Sequence, residues 1–253
     1  TPTNPILYDA FGQRTHIPRE SGTQWIYGYN ARGEVTGGGK QFINGSAIQG
    51  YQFSYQYDDI GNRIQTTVNG QNSTYTPNAL NQYAQRDVPG IADILGSAHP
   101  EATVTINDTA TQRQDGLFYR QFGVNNTGTP VLLTATTTGV RKGAGADGKD
   151  VVTQTVGSLY IPQTPEVYSY DDDGNLTQDG HWIYTWDGEN RLAAMETIPT
   201  VPAAAKTKLT FVYSGEGKRI KKSVYHWNSQ INDYQLASER RFVYDGWNVI
   251  AEM

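Results

Sequence analysis

The stretch YDDIGNRI, residues 57–64, reads as a turn between two strands, and the same wording returns as YDAFGQRT from residue 8 and YDDDGNLT from residue 170. The shared pattern is an aromatic residue, then Asp, Asn or Ser, two variable residues, and Gly or Asn. It opens at Tyr8, Tyr29, Tyr57, Tyr170, Trp186, Tyr213 and Tyr244. The copies fall in two clusters, spaced by 21 and 28 residues in the first and by 16, 27 and 31 in the second. Such spacings fit one hairpin per copy. A degenerate copy starts at Tyr75 in YTPNALNQYAQ, which is longer and has no glycine.

Each position has a physical role. Asp9, Asn30, Asp58, Asp171, Asp187 and Asp245 carry short side chains that accept a hydrogen bond from backbone two residues on, which starts a turn. The fifth position is Gly12, Gly33, Gly61, Gly174 or Gly217, or else Asn190 or Asn248. Glycine and asparagine tolerate the positive φ that a type I turn closed by a left-handed residue requires. Flanking segments such as QWIYGYN, YQFSYQY, HWIYTW and KLTFVY alternate aromatic or branched residues with polar ones, the period of half-buried strands. No segment holds a helical period. The sequence therefore predicts an all-β fold: a coiled antiparallel sheet of stacked hairpins, because a single hairpin cannot bury its own face.

Composition narrows the function classes. The chain has 253 residues, no cysteine and a formal net charge of -5 with only 20 basic residues, so disulfide frameworks and thiolate metal sites are out and nucleic acid is not an expected partner. No apolar run is long enough to span a bilayer. The opening TPTNPILYDA and the ending VYDGWNVIAEM read as cuts through a longer protein.

On these seven copies, over residues 1–87 and 166–253, the chain resembles the YD repeats of the rearrangement-hotspot (RHS) proteins, seen also in the C components of insecticidal toxin complexes and in teneurins. The resemblance implies a spiralling β-sheet wound into a hollow shell that, in bacterial toxins, encloses a C-terminal toxic domain. It implies a secreted or cell-surface bacterial location and an enclosed toxin domain as partner, while the unpaired edges of a cut spiral sheet lead to the expectation of pairing with the rest of the parent polypeptide or with other copies. The aspartyl self-cleavage segment that follows the last repeats in that family matches no residue here.

Residues 88–165 contain no copy of the motif, and prolines at 89, 162 and 165 punctuate the borders. ATVTIN, LFYRQFGV, PVLLTATTT and VVTQTVGSLYI read as short strands of a small inserted sandwich. Over residues 91–140 the order of these segments resembles bacterial immunoglobulin-like modules, which act as spacers or adhesive parts. The expected domains are thus repeats at 1–87, an immunoglobulin-like insert at 88–165, and repeats at 166–253.

Chemistry has few footholds. Asp171, Asp172 and Asp173, and the loop with Asp147 and Asp150, have the flavour of calcium loops, but the first is also a repeat turn and lacks the bidentate Glu. His16, His99, His181 and His226 show no metal-ligand spacing, and Ser46 and Ser214 lack a nucleophile elbow. Trp25, Trp182, Trp186, Trp227 and Trp247 fall inside the repeat pattern, where packing competes with a sugar-stacking platform. The expected function is a structural segment of an RHS-type shell, with no enzymatic activity and no cofactor. The alternative is an extracellular adhesive module binding glycans or a partner protein.

Overall fold

The structure, a computed structural model, describes residues 5–19 and 22–253 and is almost entirely antiparallel β-sheet. It divides into two compact units: the chain up to Asn125 together with Leu133–Leu159, and Asn126–Leu132 together with Tyr160–Met253.

In the first unit, eight strands follow one another in chain order across one sheet. They are β1 (Leu7–Tyr8), β2 (Arg14–Arg19), β3 (Thr23–Tyr29), β4 (Val35–Phe42), β5 (Ala47–Tyr57), β6 (Arg63–Val68), β7 (Gln71–Pro77) and β8 (Tyr83–Arg86). Every neighbour in sequence is a neighbour in space, as a meander of hairpins demands. Repeat turns join the strands at one end. At the other end lie different hairpins, including the Asn69-Gly70 loop, where both residues have positive φ (50° and 83°) and Val68 pairs with Gln71. That is the two-residue geometry whose twist matches the strands it joins.

The sheet is held by rings more than by a deep core. Trp25 and Tyr27 on β3 reach Phe53 on β5 at centroid distances of 6.3 and 6.4 Å, across the glycines of β4. Gly38 pairs with Tyr27 on one side and Phe53 on the other. A Cβ built on Gly38 would lie 2.9 Å from Phe53 Cζ and press on the carbonyl oxygen of Ile26. The missing side chain is the space the rings fill.

Between the repeat clusters the chain builds two further sheets. β9 (Ile91–Ser97), β12 (Gln112–Gln114) and β13 (Leu117–Gly123) form one, in the order β12-β13-β9; β10 (Thr103–Ile106), β11 (Thr109–Ala110), β14 (Val131–Arg141) and β15 (Val151–Ile161) form the other, in the order β11-β10-β14-β15. The division into units falls inside this segment, and within the first unit the β12-β13-β9 sheet docks on the repeat sheet. Tyr119 Oη donates to Asp93 Oδ1 at 2.7 Å, and Asn69 Nδ2 donates to Asp93 Oδ2 at 2.7 Å. Gln114 donates to the Ala47 carbonyl at 3.0 Å and accepts from the Gln49 amide at 2.9 Å. At Gly50 on β5 (φ +84°) an added Cβ would stand 2.7 Å from the Tyr119 ring.

The second unit opens with β16 (Glu166–Val167) and continues with an eight-stranded sheet in chain order. Its strands are β17 (Ser169–Tyr170), β18 (Leu176–Gln178), β19 (Trp182–Trp186), β20 (Leu192–Thr197), β21 (Thr207–Tyr213), β22 (Arg219–Asn228), β23 (Asp233–Asp245) and β24 (Asn248–Glu252). The only helical pieces among the described residues are 3-10 turns at Ala146–Gly148 and Ala203–Ala205.

Candidate functional site: the repeat turns and the links between them

The turns share one geometry. In YDDIGNRI the Asp58 amide donates to the Asn62 carbonyl at 2.9 Å and the Gly61 amide to the Asp58 carbonyl at 3.3 Å. The carboxylate oxygen Oδ1 of Asp58 accepts from the amides of Ile60 (3.0 Å) and Asn62 (2.8 Å). The same bonds recur around Asp9, Asn30, Asp171, Asp187 and, with a hydroxyl in place of the carboxylate, Ser214. Gly12, Gly33, Gly61, Gly174, Asn190 and Gly217 have φ of 79°, 82°, 95°, 86°, 56° and 77°. The Asn62 side chain, donating to Asp58 Oδ2, and the backbone amides together hold the Asp58 carboxyl below its ordinary value. Asn175 does the same for Asp171, and at Asp187 the Arg191 backbone and side chain do so.

Two turns depart from the expected positions. The degenerate copy does not start at Tyr75: Pro77 stands in the aromatic place, Asn78 accepts from the Leu80 and Gln82 amides, and Asn81 has φ 62°. The loop is the standard length and lies two residues beyond Tyr75, because Pro77 fills the place that an aromatic holds in the other copies. After Tyr244 the loop is tighter. Tyr244 pairs with Val249 and Asp245 with Asn248, and it is Gly246, at φ 56°, that takes the left-handed region while Asn248 begins β24. A glycine already at the third position lets the chain turn early.

The first position carries a contact that sequence reading missed. Tyr29 Oη donates to the Arg14 carbonyl at 2.8 Å and Tyr57 Oη to that of Val35 at 2.9 Å. In the second unit, Trp186 Nε1 donates to Leu176 O at 2.8 Å, Tyr213 Oη to Leu192 O at 3.0 Å, and Tyr244 Oη to Arg219 O at 2.9 Å. Each acceptor is the residue six places after the aromatic of the preceding copy, so the aromatic tip of one repeat clamps the return strand of the one before. Tyr8 and Tyr170 open the two clusters and pair with Arg14 and Leu176, the same places in their own copies. Neighbouring turns also touch directly: Asn175 Nδ2 donates to Asn190 Oδ1 at 2.9 Å, and Arg32 Nη2 to the Asp58 carbonyl at 2.6 Å. Arg191 lies over the Tyr213 ring at 5.1 Å and Arg219 over the Phe242 ring at 5.4 Å, cation-π contacts of the same repeat-to-repeat kind.

The candidate chemical groups are used locally. Both Asp171 oxygens serve their own turn, and Asp150 Oδ1 accepts from the Gly143 amide at 2.9 Å. Among the described residues no three His, Cys, Asp or Glu side chains group as a metal site. His181 lies in the loop before β19, its ring stacked on Tyr160 at 4.0 Å; burial lowers its pKa against the opposing pull of Asp179 and Glu166. Asp179 accepts from the His181 and Trp182 amides at 2.7 and 2.6 Å and from Tyr184 Oη at 2.7 Å, while buried Glu166 accepts from the Gly180 amide at 3.1 Å. Burial, then Asp179 and Glu166, push the Tyr160 hydroxyl up to about 12. This acid and aromatic cluster closes a loop around its own backbone. A cleft of about 530 Å³ opens between the two middle sheets, lined by Ile94, Val104, Phe118, Gly139, Val151 and Thr153 among others.

No protein-family profile matches the chain. A 69-residue stretch, 27% of the chain, is 39% identical to the tRNA nuclease WapA of Bacillus subtilis (strain 168), and the tRNA3(Ser)-specific nuclease WapA of Bacillus spizizenii is similar to the same degree. The chain spans about 3% of the length of these relatives. Among solved structures, a chain of the Photorhabdus luminescens Tc holotoxin pore aligns with 98% of this chain and 12% of its own length, at 13% identity and a TM-score of 0.36. A TcdB2-TccC3-Cdc42 crystal structure aligns over 94% and 12%, at 15% identity and a TM-score of 0.37. At those values the structural likeness decides nothing further.

Proposed function

We propose that this chain is a wall segment of an RHS/YD-repeat shell, which encloses or presents a C-terminal toxin or effector domain of a larger secreted bacterial protein, and that it carries out no chemistry itself. The observation that carries this reading is the clamp from each repeat's aromatic to the preceding repeat's backbone. A bond of that form adds copies in one direction without limit, and it makes neighbouring copies, not a ligand, the object that the fixed residues recognise. The local similarity to WapA nucleases supports placement beside a toxic domain, since those proteins are named for a nuclease activity while the matched stretch is a small part of their length. The middle sheets then form an immunoglobulin-like insert borne on the wall.

The test uses the long polypeptide that carries this segment. Limited proteolysis should leave its C-terminal domain intact, and a variant with Tyr29, Tyr57 and Tyr213 all changed to Phe should expose that domain to cleavage at lower protease. Equal cleavage of the C-terminal domain in both proteins, at rates matching the isolated domain, would overturn the enclosure. The second reading, an adhesive module, draws on the apolar cleft of the insert; glycan-array binding abolished by Phe118→Ala would favour it.

A further inference from the structure

Strand β15 is an eleven-residue strand at the edge of its sheet. It is the last strand of the β11-β10-β14-β15 sheet, and among the described residues no strand pairs with its outer edge. Residues 151–159 are exposed on both faces, with Val152 and Val156 left 60% and 62% accessible. An edge this long is ordinarily protected by a lysine, a proline, a bulge or an inward charge. VVTQTVGSLYI has no charged residue and no proline. The edge therefore presents a row of backbone donors and acceptors with nothing to discourage a partner.

The sequence of the edge says which partner. Val152-Thr153-Gln154-Thr155-Val156 reads the same in both directions. Antiparallel pairing reverses direction, so a two-fold axis at Gln154 sets Val152 against the partner's Val156, Thr153 against the partner's Thr155, and Gln154 against the partner's Gln154. Like-shaped branched residues meet across the strands on each face, the cross-strand arrangement that stabilises sheets. One step further out, Val151 faces the partner's Gly157, which leaves it room. The side chain at the axis is already held in place: Gln154 Nε2 donates to Thr138 Oγ1 on β14 at 3.2 Å, which keeps the amide on the outer face with its carbonyl free to accept. Thr153 and Thr155 lie on the opposite face, where they line the cleft. A heterologous partner strand would have no reason to meet a palindrome; a second copy of the same strand would.

We infer that the β15 edge is a homophilic interface, at which two copies of this chain join their four-stranded sheets into one eight-stranded sheet by antiparallel pairing about Gln154. The inference does not depend on the shell reading, since β15 lies outside the repeat sheets.

The absence of cysteine makes the register testable in the full chain. Residues directly opposite in an antiparallel pair have Cα atoms about 4.5–5.5 Å apart, inside the disulfide range of about 4.4–6.8 Å. Gln154→Cys should therefore give a disulfide-linked dimer in high yield under mild oxidation. Ser158→Cys should not, because its own symmetry mate lies eight positions along the strand, about 27 Å away at about 3.4 Å per residue. Gln154→Lys sets two ammonium groups against each other and should raise the dimer dissociation constant by about tenfold or more by sedimentation, with an unchanged circular dichroism spectrum. A wild-type chain monomeric at all concentrations would overturn the inference. So would equal cross-linking at positions 154 and 158, or a dimer indifferent to Gln154→Lys, which would place the contact elsewhere.

Discussion

The loop Ser214-Gly215-Glu216-Gly217-Lys218 contains two glycines whose comparison isolates the conformational basis of the repeat. At both, an added Cβ would meet no atom within 4 Å, so packing does not distinguish them. Backbone does: Gly217 sits at φ +77°, and Gly215 lies outside the left-handed range. Replacing either by Ala restricts the unfolded chain and stabilises by about 0.4–1 kcal/mol on that account. Only at position 217 must the new side chain also enter the left-handed region, at about 1–2 kcal/mol. The unfolded-state effect cancels in the difference, so Gly217→Ala should be less stable than Gly215→Ala by about 1–2 kcal/mol. Urea unfolding followed by tryptophan fluorescence reads this directly, because four of the five tryptophans lie in the second unit. The midpoint should move while the slope is unchanged. Gly217→Asn should recover much of the loss, as Asn81 and Asn190 hold the same place at φ 62° and 56°. Equal effects of the two alanines would refute the account of the fifth position.

Removal of one clamp by Tyr213→Phe deletes the hydrogen bond to Leu192 O and should lower stability by about 0.5–1.5 kcal/mol in the same assay. Gly38→Ala drives a methyl group into the Ile26 carbonyl and the Phe53 ring and should cost about 1–3 kcal/mol, seen as earlier thermal unfolding of the first unit. The turn aspartates set an acid response. Asp58, Asp171 and Asp187 have folded pKa values below the ordinary 3.8, so their stabilisation is present above that value and is lost as pH falls through the depressed folded values. Stability measured from pH 5 downward should therefore drop, and Asp58→Asn, which keeps an acceptor without a titrating proton, should flatten the slope.

Much of this fold was legible because a turn is a local object. Asp58, Gly61 and Asn62 make their bonds within one five-residue loop, so spacing alone reveals them, and the all-β class follows from repetition. At Pro77 the turn is carried by Asn78 and Asn81 alone, and the proline in place of the aromatic hides the copy from a pattern that opens on a ring. Tyr244 shows the converse: the pattern was present, but Gly246 offered a shorter loop. What spacing could not reveal is spatial. The acceptor for Tyr57 is a carbonyl on Val35, which leaves no mark on the sequence because every residue has one. Gly38 likewise has meaning only once β3 and β5 are known to flank β4.

That silent acceptor explains the composition of the repeat. The donor must reach across to the preceding hairpin while its ring covers the sheet, and tyrosine and tryptophan both combine an apolar body with a polar tip. Phenylalanine has the body alone. The chain contains 7 phenylalanines, and none of them opens a copy of the motif. Where the first position is Pro77, which can donate nothing, the link is rebuilt from the facing residue: Tyr83 pairs with Pro77, and its hydroxyl accepts from the Arg63 amide at 3.2 Å. Arg63 is the residue whose place in the other copies supplies the clamped carbonyl. The link between neighbouring repeats thus persists through the loss of its usual donor by a change of both partner residue and direction. What recurs along the sheet is a hydrogen bond from copy to copy, and the aromatic is its commonest means.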